Sequence, residues 1–378
     1  MRAFTNVYLK PITSPDIPNG IVCLEGGKIR SFGSMEKADL SKCESIIDGT
    51  GMLLTPGLID AHTHLGVDEE GIGWEGADFN ETSDPITPHV RAIDGINPFD
   101  QGFHDAAQSG ITTAQILPGS ANVIGGLTAV LKIKPNHIVE EMVLRETAGL
   151  KVAFGENPKK YHGNEGRAPK TRMGIAALIR EQFFKAKHGP DLPEDLKLQT
   201  LKRVLNKEIP IRVHAHRADD ILTALRIAKE FDIEINIEHV TEGHLIARHL
   251  ADSSVGFSVG PTLSSRSKVE LNHLSWHTYS TLHDYGIKFA MITDHPVLHI
   301  TQLTTAAQQA VKHNLEESAA WRSLTIHPAE ILGISRQTGS IEIGKDADLT
   351  LWSENPITSH GQAVLTMVEG EITFNNLK

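Results

Sequence analysis

Thr55-Pro56-Gly57-Leu58-Ile59-Asp60-Ala61-His62-Thr63-His64 is an apolar run that turns polar on two imidazoles spaced i, i+2. Alternate side chains of a strand share a face, so His62 and His64 point one way and Thr63 the other. Such a strand end aims two neutral nitrogen donors at one metal ion. Because the chain holds 20 histidines, the pair alone does not make a site. The test is whether other apolar runs also end on histidine or carboxylate.

Working outward, a first strand at 53–62 is followed by apolar runs at 111–117, 129–133, 151–155, 209–214, 233–239, 255–259 and 287–293, alternating with helical patterns. Eight strands in this rhythm predict an α/β fold of parallel strands joined by helices, a TIM-like (β/α)8 barrel. The segment 219–231 is one of the helices; its Ile221, Leu222, Leu225, Ala228 and Phe231 make one apolar stripe, explained by core packing. Residues 1–54 read as short strands broken by turns, with Glu25-Gly26-Gly27-Lys28 between two apolar runs, and the C-terminal end repeats that idiom. The two ends are expected to pair into a small β-sandwich domain of residues 1–54 and 335–378, around a catalytic barrel of residues 55–334.

An α/β barrel carries its active site at the carboxyl ends of its strands. Lys151-Val152-Ala153-Phe154-Gly155-Glu156 ends in a carboxylate on the register of Val152 and Phe154, so Glu156 reads as a bridge between two metals or as a loop cap. Ile211-Arg212-Val213-His214-Ala215-His216 repeats the i, i+2 histidines, and Ile235-Asn236-Ile237-Glu238-His239 ends the next strand. His214 and His239 form a second pair of nitrogen ligands, with His216 facing substrate as a candidate catalytic group. Phe289-Ala290-Met291-Ile292-Thr293-Asp294 leaves Asp294 at the mouth of the last strand as the natural proton acceptor, a helix N-cap or turn carboxylate being the bland alternative.

The 378 residues carry a formal charge of -11, which argues against nucleic acid as a partner, since that binding relies on clustered Lys and Arg. A small-molecule substrate is expected. Cys23 and Cys43 form no C-x-x-C pair, and a reducing cytoplasm is the simplest location. The N-terminus lacks the apolar core of a signal peptide, and no segment is long and apolar enough to span a bilayer, so no membrane partner is expected. The sequence leaves open whether the chain forms a homo-oligomer.

With Pro56–His64, His214, His239, Asp294 and the closing Gly339-Ser340-Ile341-Glu342-Ile343-Gly344-Lys345-Asp346-Ala347-Asp348-Leu349 in view, the chain resembles the amidohydrolase superfamily over almost its full length. Within it, the likeness is to imidazolonepropionase-like and prolidase-like enzymes. The resemblance implies that His62 and His64 serve one metal, that His214 and His239 serve the other, and that Asp294 combines metal contact with proton shuttling. Many members bridge their metals with a carboxylated lysine on the fourth strand, whereas this sequence offers Glu156, as some deaminases and deacetylases do. Lys151 is expected on the opposite strand face, and Lys132 and Lys134 are the remaining lysine alternatives.

A divalent ion lowers the pKa of its bound water from about 15.7 to about 7 and polarises the bond under attack. Two ions with Glu156 and Asp294 ionised and one hydroxide leave a net charge of about +1, against about -1 for a single ion, and an electrophilic centre needs the former. A binuclear centre is therefore expected, with zinc the default for nitrogen and oxygen ligands and manganese, iron or nickel as alternatives. The expected reaction is hydrolysis of a C–N bond in an amide, cyclic amide or dipeptide by a metal-activated hydroxide, with Asp294 as general base and acid. Deamination of an aminated heterocycle is a second reading, favoured by Glu156 as bridge. A non-catalytic barrel scaffold, as among relatives of dihydropyrimidinase, is a third; such scaffolds lose metal ligands, and this chain keeps them.

Substrate contacts are sought in loops. Residues 68–88, with Trp74, Asp78, Glu81 and Asp84, read either as a lid or as a solvated loop, and Gly119–Gly126 offers backbone amides to an anion but opens no clear helix. Tyr161, His162, Arg172, Arg266 and Lys268 are the groups able to hold a substrate carboxylate, each with ordinary surface charge as its alternative. His104, His188, His249, His313 and His327 sit on or beside helical patterns and receive no role.

Overall fold

A computed structural model describes residues 1–190 and 192–377. Its strands are β1 Arg2–Leu9, β2 Ile17–Glu25, β3 Lys28–Ser34, β4 Ser45–Asp48, β5 Leu53–Pro56, β6 Leu58–Thr63, β7 Ile111–Ile116, β8 Ile124–Lys132, β9 Val143–Ala153, β10 Ile211–Ala215, β11 Ile235–His239, β12 Gly256–Val259, β13 Phe289–Met291, β14 Leu349–Trp352, β15 Ala363–Val368 and β16 Glu371–Asn375.

Strands β6 to β13 follow one another in a single eight-stranded sheet. It curls until its edges meet: Thr63 bridges His295 in parallel, the Asp294 N–H donates to His62 O at 3.0 Å, and the His64 N–H donates to His295 O at 2.8 Å. The barrel is thus nearly closed, and the closing contacts run through the expected ligands themselves.

One strand departs from expectation. β8 pairs antiparallel with both β7 and β9, so the sheet is mixed and strict strand–helix alternation fails there. The reason is chain length, because residues 117–123 between β7 and β8 are too few for a crossover helix, and a parallel return needs a dozen or more residues. The run at 129–133 is only the second half of β8. Elsewhere helices do intervene, as with Arg172–His188 and Leu196–Leu205 before β10 and Ala218–Phe231 before β11.

Apolar residues on alternate positions of the barrel strands, such as Val152, Val213, Ile237, Phe257 and Met291, share one buried cluster with helix residues Ile179, Phe183, Ile221 and Ile227. These residues face outward, under the helices. The intervening positions, including Lys151, Arg212, Glu238 and Ser258, are buried and polar and fill the barrel interior.

The chain ends meet in a second sheet, ordered β16-β15-β14-β5-β1-β2-β3 with β4 beside β1. It is hydrogen-bonded as one sheet and not as the two leaves of the expected sandwich. Phe4, Val7, Leu54, Leu349, Leu351 and Met367 make its core. Because β5 pairs with β14, the expected division after residue 54 falls inside a strand of this sheet, and the barrel begins at Leu58. No helix among the described residues is long and apolar enough to cross a membrane.

Buried Lys132, at the far end of β8, holds the sheets together through Asp346 (2.9 Å) and Asp348. Lys134 pairs with Glu369. Both lysines thereby leave the list of metal bridges. An antiparallel strand carries its C-terminal residues to the opposite mouth of the barrel from the ligand-bearing ends.

Candidate metal centre

Of three groups of donor atoms among the described residues, one is Glu70, His295 and His299, and the other two gather expected ligands at the carboxyl ends of the parallel strands. His62, His64 and Asp294 form one and His214, His216 and His239 the other, with the ligand atoms of each group within 4.8 Å of one another. The rings of His62 and His239, 4.9 Å apart, bring the groups side by side.

Strand geometry and backbone strain together aim these side chains. His239 (φ 74°) and Asp294 (φ 55°) hold the left-handed conformation, which a non-glycine residue adopts at a cost of about 1–2 kcal/mol. His239 is the last residue of β11 and Asp294 lies three residues beyond the end of β13, and at both the side chain swings off the alternating register into the mouth.

Hydrogen bonds then fix which ring nitrogen is free. His62 Nδ1 lies 3.0 Å from Glu238 Oε2, and Glu238 Oε1 lies 2.6 Å from Arg212 Nε inside the barrel. Burial alone would raise the Glu238 carboxyl, but the Arg212 guanidinium and the His62 hydrogen bond outweigh it and lower it to about 2. A permanent carboxylate there makes His62 Nδ1 the donor and leaves Nε2 as a lone pair. His64 Nδ1 donates to Leu117 O (2.7 Å) and His239 Nδ1 to Gly260 O (2.9 Å), with the same result. His216 Nδ1 pairs with Thr241 Oγ1 at 2.8 Å.

The Nε2 atoms of His214, His216 and His239 are buried without any hydrogen-bond partner among the described residues. Burial first, and then neighbouring cations and histidines, hold all three rings well below the usual histidine range, so they are neutral. Three neutral imidazoles with orphaned nitrogens turned on one another are costly unless a cation fills the gap. The donor set therefore fits a divalent metal.

Asp294 Oδ1 lies 3.3 Å from Nε2 of both His62 and His64.

The expected bridge is placed differently. Glu156 opens the helix Glu156–Asn164, its backbone N–H donates to Glu270 Oε2 at 3.0 Å, and it belongs to neither donor group. Lys151 instead reaches the centre, its Nζ 3.2 Å from His62 Nε2. The expected faces were reversed because Val152 and Phe154 pack outward against helices, which turns Lys151 inward, and because Gly155 at φ 85° breaks the register before Glu156. Burial lowers the Lys151 ammonium to about 8 despite the carboxylates of Asp294 and Glu238. His216, expected to face substrate, lies instead against His214 and His239.

The expected substrate groups are dispersed. Arg172 is paired with Asp220 at 3.0 Å, His162 Nε2 with Asn122 Oδ1 at 2.8 Å, and Tyr161 is exposed. Arg266 donates to Asn272 O and Leu274 O and lines a cavity of about 380 Å³ with Thr262, Trp276 and His313. Lys268 Nζ is 2.6 Å from Glu270 Oε1. The 68–88 segment lays Phe79 over His64, ring centroids 5.0 Å apart, while Trp74 is exposed and Asp84 pairs with Lys197. The amides of Gly119 and Ala121 are taken by Phe79 O and Asn80 Oδ1, so those two are not free for an anion.

Sequence reasoning missed Arg212, Glu238 and Glu270. The first two carried a readable signal, as opposite charges on the polar positions of two adjacent strands otherwise apolar. Glu270 lies in a short loop helix with no motif around it. Replacing Glu238 with Gln removes the carboxylate that orients His62; loss of such a partner costs about 10–100-fold in metal affinity. Zinc titration of Glu238→Gln should show a weakening in that range, and unchanged affinity would refute the orienting role.

The amidohydrolase family model matches residues 53–373, which is most of the chain. The chain belongs to the amidohydrolase family. It is accordingly a hydrolase acting on C–N bonds, and small molecules are the substrates of such enzymes. An amidohydrolase from Thermotoga maritima is similar to this one throughout, at 41% identity and a TM-score of 0.94, covering 99% of this chain and 100% of that one. Among curated proteins, the amidohydrolase tasK of Hapsidospora irregularis is 28% identical over 94% of this amidohydrolase, which spans only 40% of tasK. An imidazolonepropionase of Rhizobium rhizogenes is 22% identical, with 93% and 91% of the two chains covered. A prolidase solved with N-methylphosphonate-L-proline shares the fold at 14% identity and a TM-score of 0.62.

Proposed function

We propose that this amidohydrolase is a metal-dependent enzyme that hydrolyses the C–N bond of an amide, cyclic amide or dipeptide. The observation that carries the reading is the set of inward Nε2 atoms, locked by Nδ1 partners at His62, His64 and His239 and left without protein partners at His214, His216 and His239. His62, His64 and Asp294 hold one divalent ion and His214, His216 and His239 a second, with zinc the default for this donor set. When bound, such ions supply Lewis acidity, lowering the pKa of coordinated water and polarising a carbonyl.

The residues supply the rest. Asp294, placed against His62 and His64, accepts a proton from the attacking water and returns it to the departing nitrogen, so one carboxylate is base and then acid. Lys151, and not Glu156, takes the place that the family resemblance gives to a carboxylated lysine. With its ammonium lowered to about 8, a fraction of neutral amine is available near pH 7 to add carbon dioxide, forming an N–C bond and releasing one proton. Phe79 covers His64 and limits access of bulk water on that side.

With Glu156 away from the donor groups, the deaminase reading loses the feature that favoured it. The test is metal analysis of the purified protein together with assays on N-acyl amino acids, Xaa-Pro dipeptides, hydantoin-like and imidazolone rings, and aminopurines. About two equivalents of transition metal with amide cleavage or ring opening are expected; ammonia release from an aminopurine with no C–N hydrolysis elsewhere in the panel would overturn the proposal.

A further inference from the structure

Glu270 is a buried carboxylate that neither the family motifs nor the mechanism above employs. It comes from the loop after β12, where the short helix Val269–Leu271 turns it inward, and only 1% of its surface is exposed. Oε2 is held by the Glu156 N–H at 3.0 Å. Oε1 points at the three-histidine group, 3.6 Å from both His214 Nε2 and His216 Nε2, and makes no hydrogen bond to either. Its other near neighbour is the Lys268 ammonium at 2.6 Å.

Space for this approach is provided at Gly155. A Cβ there would come within 2.7 Å of Glu270 Oε2, and the positive φ of that residue disfavours any side chain. The backbone thus makes room for a carboxylate to enter the site.

Ligands of a tetrahedral zinc site with bonds of about 2.0–2.1 Å stand roughly 3.4 Å from one another. Glu270 Oε1 lies within a few tenths of an ångström of that spacing from two of the three histidine nitrogens. We infer that Glu270 is the fourth ligand of the site formed by His214, His216 and His239, giving a three-histidine, one-carboxylate centre distinct in composition from the one at His62, His64 and Asp294. The oxygen carries two lone pairs; one faces Lys268 and the other remains for the cation.

The inference rests on the proposed metal dependence, and the test separates the two. Metal-free protein is titrated with cobalt(II), reading the visible d–d absorbance and the bound equivalents, for wild type, Glu270→Gln and Lys268→Met, with circular dichroism melts on each. Glu270→Gln keeps the acceptor for the Glu156 amide and removes the charge. Expected are two equivalents in wild type, at least a tenfold weaker second equivalent in Glu270→Gln with the first unchanged, and two equivalents retained in Lys268→Met. Unchanged binding of both equivalents by Glu270→Gln overturns the inference and leaves the proposed function standing. Loss of the same equivalent in Lys268→Met overturns it as well, since the carboxylate would then serve only to seat the lysine. If Glu270→Gln fails to fold, Glu270→Asp replaces it; weaker cobalt binding supports the ligand role and unchanged binding refutes it. A wild type that takes up no cobalt overturns both readings.

Discussion

Asp294→Asn should lower kcat by about 10³-fold, within the range that a positioned general acid or base contributes. That factor corresponds to about 4 kcal/mol of transition-state stabilisation. Asparagine preserves the shape and a neutral oxygen toward His62 and His64, whose Nε2 atoms each lie 3.3 Å from Asp294 Oδ1. It cannot accept a proton. The measurement is steady-state kinetics on the best substrate of the panel, with metal content determined on the same samples. A loss of less than tenfold in protein that retains its metal would show that the proton travels by another route.

The largest stability effect is expected at Lys132, far from the chemistry. Lys132→Met leaves Asp348, 2% exposed, with the Glu369 amide as its remaining hydrogen-bond partner, while Asp346 keeps the partly exposed Lys28. Removing one partner from a buried ionic group costs about 3–5 kcal/mol, because the abandoned charge has lost its hydration. The pH dependence follows from Asp346. Burial would raise its carboxyl, but Lys132 and Lys28 outweigh burial and hold it below the ordinary 3.8. A lowered carboxyl contributes stability above its unfolded value and loses it as the pH falls through the lower folded value. The gap between wild type and variant should therefore be full at neutral pH and narrow below about pH 4. Urea unfolding at a series of pH values checks both statements, and a neutral-pH difference under about 1 kcal/mol would mean that the cluster is hydrated or replaceable.

This ion cluster also gives a physical role to part of the closing motif. Asp346 and Asp348 clamp the end sheet to β8 of the barrel through Lys132. In sequence they looked like part of a family signature, and lysines 132 and 134 looked like spare metal bridges. Both readings needed the direction of β8, which strand periodicity does not report.

Much of the donor set was legible in the chain. An apolar run ending in His62-Thr63-His64 fixes two side chains on one strand face whatever surrounds it, and His214 and His216 follow the same rule, whereas His239 and Asp294 were legible only as polar residues closing apolar runs and reach the mouth through left-handed backbone. The pairing of the two chain ends was legible too, because short strands with turn residues recur only there. What local pattern could not state was which face of a strand looks inward. In a barrel both faces are buried, the apolar one under helices and the polar one in the interior, so Val152 and Phe154 point away from the site and Lys151 into it.

Alternation and strand-end chemistry are properties of a few consecutive residues, and these alone determined that the chain would present histidines and an aspartate at the ends of its strands. The fold decided the rest: β8 runs backward because seven residues cannot carry a crossover, His216 joins the histidines instead of facing substrate, and Glu270 enters from a loop over 50 residues away from its neighbours His214 and His216. Such choices depend on how separated segments meet in space, and the distance between two side chains far apart in sequence is set only when the barrel closes.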